Sequence, residues 1–467
     1  MNKQHFVNLF FCFLLSSSLL TATSSSEILD GLQVTTDVAK DVTGSIVNAT
    51  KSMKKDWTIV VYMAADNDLR GFAARNIKQM TEIGSNQHLN LCAHLDIRLR
   101  GNQKVTRRYI IQKDKVIHAN ANDPLSQKMD SGCEKTLINA CKWAFETFPA
   151  KNYGLIFWNH GTGINDPLSG RIINVSDLFY FDPTINKFEL DRSIGFFDYI
   201  GEPRGVCWDD STGHYLSNQK LEEALSVITK EILNNKKLAL IGFDACLMSM
   251  LEVANIVKEY ADILVSSQEV ELGTGWDYSQ LLSPFLYSSV SSQALAEQIV
   301  AAYQQTYRRI TNDYTLSAVD LSRINPIEQN VEQVAATLLD AIAEQKSNSV
   351  IKTLKASRNK RVCTHFDEPN YIDLHHFYQN LLRNMHHFQL RNPQQTKEFT
   401  TRLTHLLHEG MYAITDAVFA NVIGKNLRLA KGISIYFPER KIHASYLQTR
   451  FAKQSSWLRL LRSYIQS

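Results

Sequence analysis

Short apolar runs that alternate with helical segments are the feature of this sequence that most constrains its fold. The apolar runs lie at 57–62, 89–95, 153–158, 238–243 and 263–265, and segments with helical spacing lie between several of them, at 68–83, 134–147, 218–233 and 247–260. Strands that alternate with helices along a chain form mostly parallel sheets, because each crossover places a helix on one face. The pattern predicts an α/β fold with a mostly parallel sheet sandwiched by helices.

The order of these segments predicts four regions. Residues 1–25 begin with a basic residue, continue with a short apolar run and end with small residues, which is typical of a signal peptide that is removed on export. Residues 26–55 predict a linker or pro-segment. Residues 56–285 predict the α/β domain, with a loop insertion at 164–210 that is rich in Asp, Pro, Gly and Asn. Residues 286–467 predict a helix-rich C-terminal region that packs on this domain.

The composition limits the partners and the location of the protein. The chain has 467 residues with 50 basic and 47 acidic side chains, a net charge of +3 that gives no electrostatic basis for nucleic-acid binding. The apolar run near the N-terminus is too short for a membrane span, so we expect no stable span after its removal and a periplasmic or extracellular protein. The cysteines are too few for a disulfide framework, although Cys133 and Cys141 could pair. The sequence does not determine the oligomeric state.

Two predicted strands end in reactive side chains. His160 follows the run Tyr153–Trp158, and Cys246 follows the run Leu238–Phe243. Because ligands bind at the carboxyl ends of parallel strands, the two side chains should face each other if the strands are neighbours. The thiolate is the nucleophile in cysteine chemistry and an imidazole can hold the thiol proton, so we predict Cys246 as nucleophile and His160 as general base.

Further features of these strand ends favour thiol chemistry. We expect a helix to begin directly after Cys246, where its N-terminal partial charge would stabilise the thiolate, and we expect both side chains at an exposed strand end. Gly161 allows close approach of the backbone, so the N–H groups of Gly161 and Cys246 are predicted to form an oxyanion hole. The alternative for each side chain alone is a packed cysteine or a histidine in a turn, and it is their joint placement that favours catalysis.

Longer motifs around these residues resemble the clostripain family of cysteine peptidases. The resemblance covers about residues 56–465 and rests on Val61–Leu69, Phe157–Gly161, Trp208–Asp210, Gly242–Met248, Ser267–Glu269, Gly273–Trp276, Tyr371–Leu374 and Gly432–Pro438. It implies a caspase-like fold, an endopeptidase that acts on peptide or protein substrates, and a dyad of His160 and Cys246. It also implies self-cleavage in the 164–210 loop, where the candidate sites are Arg171, Lys187, Arg192 and Arg204.

The resemblance is less complete in the substrate pocket. Relatives that cut after Arg or Lys have two acids there. Asp244 matches the first of them, but Thr274 stands at the position of the second. We therefore expect a basic preference that is weaker than in two-acid relatives, unless Glu269, Glu271 or Asp277 supplies the missing carboxylate.

Cofactors and alternative functions follow from the same resemblance. No cofactor is expected. Calcium, which some relatives need, would have Asp209 and Asp210 as candidate oxygen ligands, and no other metal site is predicted. The first alternative function is a catalytically weak or inactive relative that binds peptides or proteins, which Thr274 favours. The second is an exported adhesin or assembly factor that docks through the helical region.

Overall fold

The computed structural model describes residues 54–99, 103–165, 178–193, 205–344 and 348–466. The predicted signal peptide and almost all of the predicted linker lie outside these residues. No helix in the described ranges is both long enough and apolar enough to cross a bilayer. The cysteines of the same ranges are all free thiols, Cys133 and Cys141 included.

The centre of the structure is one mixed β-sheet. The strands of the described residues are β1 (Lys55–Ala65), β2 (Leu89–Arg98), β3 (Lys104–Gln112), β4 (Lys115–His118), β5 (Ala150–Trp158), β6 (Phe179–Asp182), β7 (Lys187–Leu190), β8 (Val206–Asp209), β9 (His214–Leu216), β10 (Leu240–Asp244), β11 (Ile263–Ser266), β12 (Thr315–Asp320), β13 (Tyr371–Asp373), β14 (Val418–Ile423) and β15 (Ser434–Tyr436). Nine of these described strands form the sheet, in the order β14-β12-β11-β10-β5-β1-β2-β3-β4. The central strands from β11 to β2 are parallel, and antiparallel strands flank them on both sides. The prediction of a mostly parallel sheet in an α/β fold is confirmed.

The α-helices of the described residues pack on this sheet and on one another. They are α1 (Arg70–Ile83), α2 (Glu134–Thr147), α3 (Asn218–Val227), α4 (Leu251–Val257), α5 (Tyr278–Leu282), α6 (Ser292–Ile310), α7 (Ile324–Glu344), α8 (Ser349–Arg358), α9 (Leu374–Arg383), α10 (Pro393–Ala417), α11 (Arg450–Gln454) and α12 (Trp457–Ile465). The helical periods of the sequence correspond to most of them. The sequence pattern does not predict α8, the edge strands β4 and β14, or β3, which lies between β2 and β4.

Strand β1 shows why the sheet is built from continuous apolar runs. A parallel strand in the middle of a helix-covered sheet has both faces away from water, so apolar residues need not alternate with polar ones. The strand is buried from Trp57 to Ala65. Burial of side chains such as Val60 and Met63, which are fully enclosed, stabilises the fold by roughly 1.5–3 kcal/mol each. This core fixes β1 beside β5.

The C-terminal half of the chain is tied to the loops that follow β5 and β10. The Tyr371 hydroxyl of β13 donates to the carbonyl of Thr162 at 2.6 Å, in the loop after β5. The Ser434 N–H of β15 donates to the carbonyl of Ser249 at 2.9 Å, in the loop after β10. The two late sequence motifs, which contain β13 and β15, therefore hold the loops after β5 and β10 in place.

The predicted insertion at 164–210 contains regular structure. Strands β6 and β7 form an antiparallel hairpin within it, and β8 near its end pairs with β9. The prediction of a segment without regular structure is therefore wrong for these strands, which are four residues long and too short to give a clear period. The candidate cleavage sites Arg171 and Arg204 lie outside the described residues.

Glu252 in α4 is a buried acid whose ionisation opposes folding. One of its oxygens accepts the Tyr436 N–H at 3.0 Å, and burial raises its pKa to about 7. Because this pKa is higher in the folded than in the unfolded chain, stability falls as the pH rises from the unfolded pKa through the folded one.

We expect Glu252→Gln, which keeps the acceptor and removes the charge, to stabilise the protein by about 1–3 kcal/mol at pH 8 and by much less at pH 5.

Urea unfolding at the two pH values measures this difference. Glu146 is exposed on α2, so Glu146→Gln is the matched control and should change stability at neither pH. A Glu252→Gln protein that is less stable than its parent at pH 8 would contradict this reading of the buried carboxyl.

Candidate active site

The two reactive strand ends are neighbours in the sheet. Strands β5 and β10 pair in parallel, and Trp158 lies opposite Asp244 at the end of the pairing. His160 and Cys246 each follow shortly after this last pair, so the register brings both to the same edge of the sheet. The two side chains line one cavity.

The His160 ring is held by Asp68, a residue for which the sequence predicts no role. Its Nε2 donates to Asp68 Oδ1 at 2.6 Å. Asp68 lies shortly after β1, the strand that pairs with β5 on the side away from β10. A carboxylate bound to one ring nitrogen fixes the tautomer and the orientation of an imidazole. The only sequence sign of this contact is the position of Asp68 in the motif Val61–Leu69.

The loop that carries His160 is fixed by close backbone contacts. The Oδ1 atom of Asn159 accepts the Trp208 N–H at 2.9 Å. At Gly161 a Cβ atom would lie 2.3 Å from the carbonyl oxygen of Cys246, a separation that no side chain can adopt. Position 161 therefore requires glycine, and the two residues predicted for the oxyanion hole are packed directly on each other.

Cys246 is enclosed by the segment that follows β11. The Glu271 N–H donates to Sγ at 3.1 Å, and Sγ lies 3.8 Å from the Glu271 carbonyl oxygen. Cys246 is 3% exposed and His160 is 1% exposed, so the prediction that both lie at an exposed strand end is wrong. Burial raises the pKa of the Cys246 thiol. This arrangement favours the thiol over the thiolate.

The prediction of a helix directly after Cys246 is also wrong. Leu247 has a φ of 62°, in the left-handed region that a right-handed helix does not use. Helix α4 begins only at Leu251, and Met250 before it pairs with Ser434 of β15. The thiolate gains no helix N-terminal charge at this position, so a neighbouring side chain has to activate it.

One small cavity joins these groups. It has a volume of about 20 Å³ and is lined, among others, by Leu69, Trp158, His160, Asp244, Cys246 and Glu271. A buried water molecule needs about 10–15 Å³ measured in this way. The cavity therefore has room for about one water, and a peptide side chain fits only after it opens.

Asp244, the predicted acid of the substrate pocket, forms part of this cavity. Its carboxylate accepts the Trp276 N–H at 3.1 Å and the Tyr278 hydroxyl at 2.9 Å. Burial raises the pKa of Asp244 to about 7, against the opposing effect of these two donors. At Gly275, where φ is 63°, a Cβ atom would lie 2.9 Å from this carboxylate. Asp244 is therefore a buried and well-oriented acid in the same cavity as Cys246.

Position 274, where the resemblance places a second acid in relatives, does not belong to the described cavity. Thr274 is absent from the described residues that line the cavity, whereas Glu271 is among them. The other two candidates have partners elsewhere, since Glu269 is paired with Arg192 and Asp277 caps helix α5. Of the three acids that the sequence leaves open, Glu271 is the one that reaches the cavity.

Arg192 ties the predicted insertion to the segment that encloses Cys246. Its Nη2 atom lies 3.0 Å from Glu269 Oε2 and 3.1 Å from Asp313 Oδ1. Both acids are buried, so the guanidinium group neutralises charges that would otherwise be costly to enclose. Because Glu269 precedes Glu271 in the same segment, these ion pairs help to hold that segment on the thiol.

The candidate calcium ligands face donors of the protein itself. Asp209 accepts the ammonium group of Lys104 and the Ser131 N–H, and Asp210 accepts the Trp208 indole N–H at 2.6 Å. Across the part of the chain that the structure describes, no group of three His, Cys, Asp or Glu residues is arranged to hold a metal ion. Asp209 and Asp210 thus do not present an open set of oxygen ligands that fits calcium.

The sequence and the structure are similar to known cysteine peptidases. The clostripain family model matches residues 61–177 and 197–463. Clostripain from Hathewaya histolytica is 22% identical over 88% of this chain and 80% of its own length. A secreted C11 cysteine protease from Bacteroides thetaiotaomicron, solved with an irreversible peptide inhibitor, has a TM-score of 0.54 at 20% identity and covers 87% of this chain and 98% of its own. An inactive zymogen C11 protease from Parabacteroides distasonis has a TM-score of 0.52 at 16% identity, with 86% and 98% covered. The two solved structures show the shared fold.

Replacement of Asp68 by Asn should slow peptide hydrolysis without changing substrate choice. The amide oxygen can still accept a hydrogen bond from His160, but it lacks the charge that would stabilise an imidazolium if His160 acts as the general base. We expect kcat to fall by about 10–10²-fold, with KM within about twofold, for peptides with basic and with neutral side chains alike. Steady-state kinetics with one peptide of each kind measure this effect.

Asp114 in the turn between β3 and β4 is exposed, so Asp114→Asn is the matched control and should leave kcat unchanged. If Asp68→Asn keeps kcat within about twofold of the wild-type value, Asp68 does not orient the base. A change confined to KM would lead to the same conclusion.

Proposed function

The chain belongs to the clostripain family of cysteine peptidases, and we propose that Cys246 attacks the peptide bond while His160 acts as general base. The enzyme is a cysteine-type endopeptidase, so its substrates are peptides or proteins. One observation carries the assignment of the two residues. They follow shortly after the ends of two neighbouring parallel strands, and both line the same cavity.

The first half of the reaction uses groups on these adjacent loops. His160 takes the proton from Cys246 Sγ, and the thiolate bonds to the carbonyl carbon of the peptide. Asp68 stabilises the imidazolium that results. The imidazolium then gives its proton to the leaving amine as the C–N bond breaks, which leaves the acyl group on Cys246 as a thioester.

Two backbone N–H groups stabilise the oxyanion, and His160 promotes hydrolysis of the thioester. The N–H groups of Gly161 and Cys246 are the proposed donors to the oxyanion, and their close packing supports this role. In the second half of the reaction His160 removes a proton from water, and the hydroxide adds to the thioester carbonyl. The C–S bond then breaks and sulfur regains the proton, so both side chains return to their starting states.

A preference for Arg or Lys before the cut bond fits the charge of the cavity. Asp244 lies beside Cys246 and accepts hydrogen bonds from uncharged donors. No Lys or Arg in the described ranges contributes to its pKa, which burial raises. A cationic substrate side chain would supply the charged partner that this carboxylate lacks.

The closed cavity supports activation by cleavage of the insertion at 164–210. In the closed state burial raises the pKa of the Cys246 thiol, and the ion pairs of Arg192 hold the covering segment in place. Cleavage of the insertion would weaken this tie, open the cavity and return the thiol pKa toward its ordinary range. The described structure then corresponds to a latent form, and the cut chain to the active one.

We also propose that the protein is exported through an N-terminal signal peptide. Residues 1–25 have the composition of a signal peptide, and the Bacteroides thetaiotaomicron protease of the same fold is a secreted one. We place the mature enzyme in the periplasm or outside the cell, where proteins and peptides of other origin are available as substrates.

Cys246→Ala and His160→Ala should each reduce peptide hydrolysis by at least about 10³-fold, because neither half of the dyad acts without the other. Fluorogenic peptides with Arg before the cut bond measure the rate, and near-UV circular dichroism checks the fold. Cys141 is equally buried in α2, so Cys141→Ala is the matched control and should keep activity within about twofold. Activity within tenfold of wild type in either dyad variant would rule out the assignment.

The purified wild-type enzyme should consist of two chains that remain associated, cut between Gly163 and Asp210, as the resemblance to the clostripain family implies. Cys246→Ala should remain uncut. We expect no cut after Lys187, because it lies in β7 and its ammonium group is bonded to the carbonyl of Arg308. Intact-mass spectrometry identifies the ends of both chains. A fully active preparation with one uncut chain would show that processing is not required.

A further inference from the structure

We propose that Glu271 is the second acid of the substrate pocket and that, with Asp244, it binds the guanidinium or ammonium group of the substrate residue before the cut bond. The inference rests on the proposed function, since it assumes that peptides are cut at Cys246. It assigns to Glu271 the role of the second acid, whose position in the relatives is occupied by Thr274 in this chain.

The position of Glu271 is the first argument. Its backbone touches the nucleophile, with the N–H donated to Cys246 Sγ at 3.1 Å. Glu271 lines the same cavity as Asp244 and His160, its carboxyl is close enough to Asp244 to be affected by the charge of that residue, and it is 4% exposed. A substrate whose carbonyl carbon reaches Sγ therefore has Glu271 within one side-chain length of the bond that is cut.

The lack of hydrogen-bond partners is the second argument. No described residue donates a well-formed hydrogen bond to either carboxyl oxygen of Glu271, although both oxygens are buried. The Trp276 indole N–H lies near this carboxyl and lowers its pKa. The indole N–H itself makes no well-formed hydrogen bond to a described residue. Buried polar groups in native proteins nearly always have partners, so an unsatisfied carboxyl at the wall of a cavity points to a ligand that brings its own donors.

The charge balance of the cavity is the third argument. Burial raises the pKa of Glu271 well above its usual range, and the nearby charge of Asp244 raises it further. The other ionisable side chains that interact with Glu271 include Tyr278, Tyr303 and Tyr307, which bring no positive charge. Two acids that share a buried site without a cation cannot both ionise easily. A substrate cation would allow both to carry their charge.

The two acids differ in how much of their acceptor capacity is free. Asp244 already accepts from the Trp276 N–H and the Tyr278 hydroxyl, whereas Glu271 accepts no well-formed bond from a described residue. A guanidinium group has five N–H donors in a planar fork, and an ammonium group has three. Because the fork can engage two carboxylates at once, we expect Arg to be preferred over Lys.

Glu271→Gln is the decisive variant, because it keeps the shape of the side chain and the backbone contact with Sγ while it removes the charge. Two otherwise identical fluorogenic peptides carry either arginine or citrulline, its uncharged analogue, before the cut bond. The ratio of kcat/KM for arginine to that for citrulline should fall by about 10–10²-fold in Glu271→Gln, and also in Asp244→Asn. Glu271→Asp, which keeps a charge on a shorter side chain, should retain part of the ratio.

Glu252→Gln is the matched control, because it neutralises another fully buried acid, in α4, that does not line the described cavity. It should leave the ratio unchanged. A ratio that falls in Asp244→Asn but not in Glu271→Gln would overturn this inference alone. Equal losses for both peptides in Glu271→Gln, together with a lower melting temperature, would overturn it in favour of a structural role. A wild-type enzyme that cleaves neither peptide, or a Cys246→Ala variant that cleaves both, would instead refute the proposed function.

Discussion

The parallel pairing of β5 with β10 is the interaction on which the active site depends. Trp158 and Asp244 lie opposite each other at the end of this pairing. The register therefore determines where the chain leaves the sheet after each strand. A shift by one residue would turn every side chain of one strand to the other face. Both faces of these strands are closely packed, so such a shift would misplace side chains of defined size, and the packing of the core therefore also sets the geometry of His160 and Cys246.

Segments that are distant in sequence contribute the other residues of the site. The end of β1 supplies Asp68 to His160, and the segment after β11 supplies Glu271 to Cys246. Strands β13 and β15 hold the two reactive loops from the C-terminal half. The site is therefore an assembly of contacts between segments far apart in sequence, and its chemistry depends on how tightly they close. Under the proposed function, the enclosure that disfavours the thiolate is also what keeps Cys246 latent before the chain is cut.

Local patterns of the sequence were sufficient to predict the central parallel strands of the sheet and the placement of His160 and Cys246 after two of them, whereas Asp244 was predicted only from the family resemblance. Strand and helix periods arise within a few residues, and the rule that ligands bind at strand ends needs only the order of the elements. The helix expected after Cys246 does not begin there because Leu247 takes a left-handed conformation and Met250 pairs with β15. Such a pairing between distant residues leaves no trace in the local period.

The contacts of Asp68 and Glu271 could not be predicted for a related reason. Each residue lies in a segment without a clear period, and only the folded sheet brings it to His160 or to Cys246. The burial of the dyad likewise depends on a covering segment and on Arg192, which belongs to the insertion. Pattern and resemblance predicted the groups that we propose to react, whereas the groups that orient, enclose and neutralise them required the three-dimensional structure.

The most direct test of the central claim is mass spectrometry of the enzyme after reaction with an irreversible, thiol-reactive peptide that carries arginine before its reactive group. The account predicts a single adduct on Cys246, formed much more slowly in the His160→Ala variant and with the citrulline form of the probe. An adduct on another cysteine, or equally rapid labelling of Cys246 without His160, would contradict it.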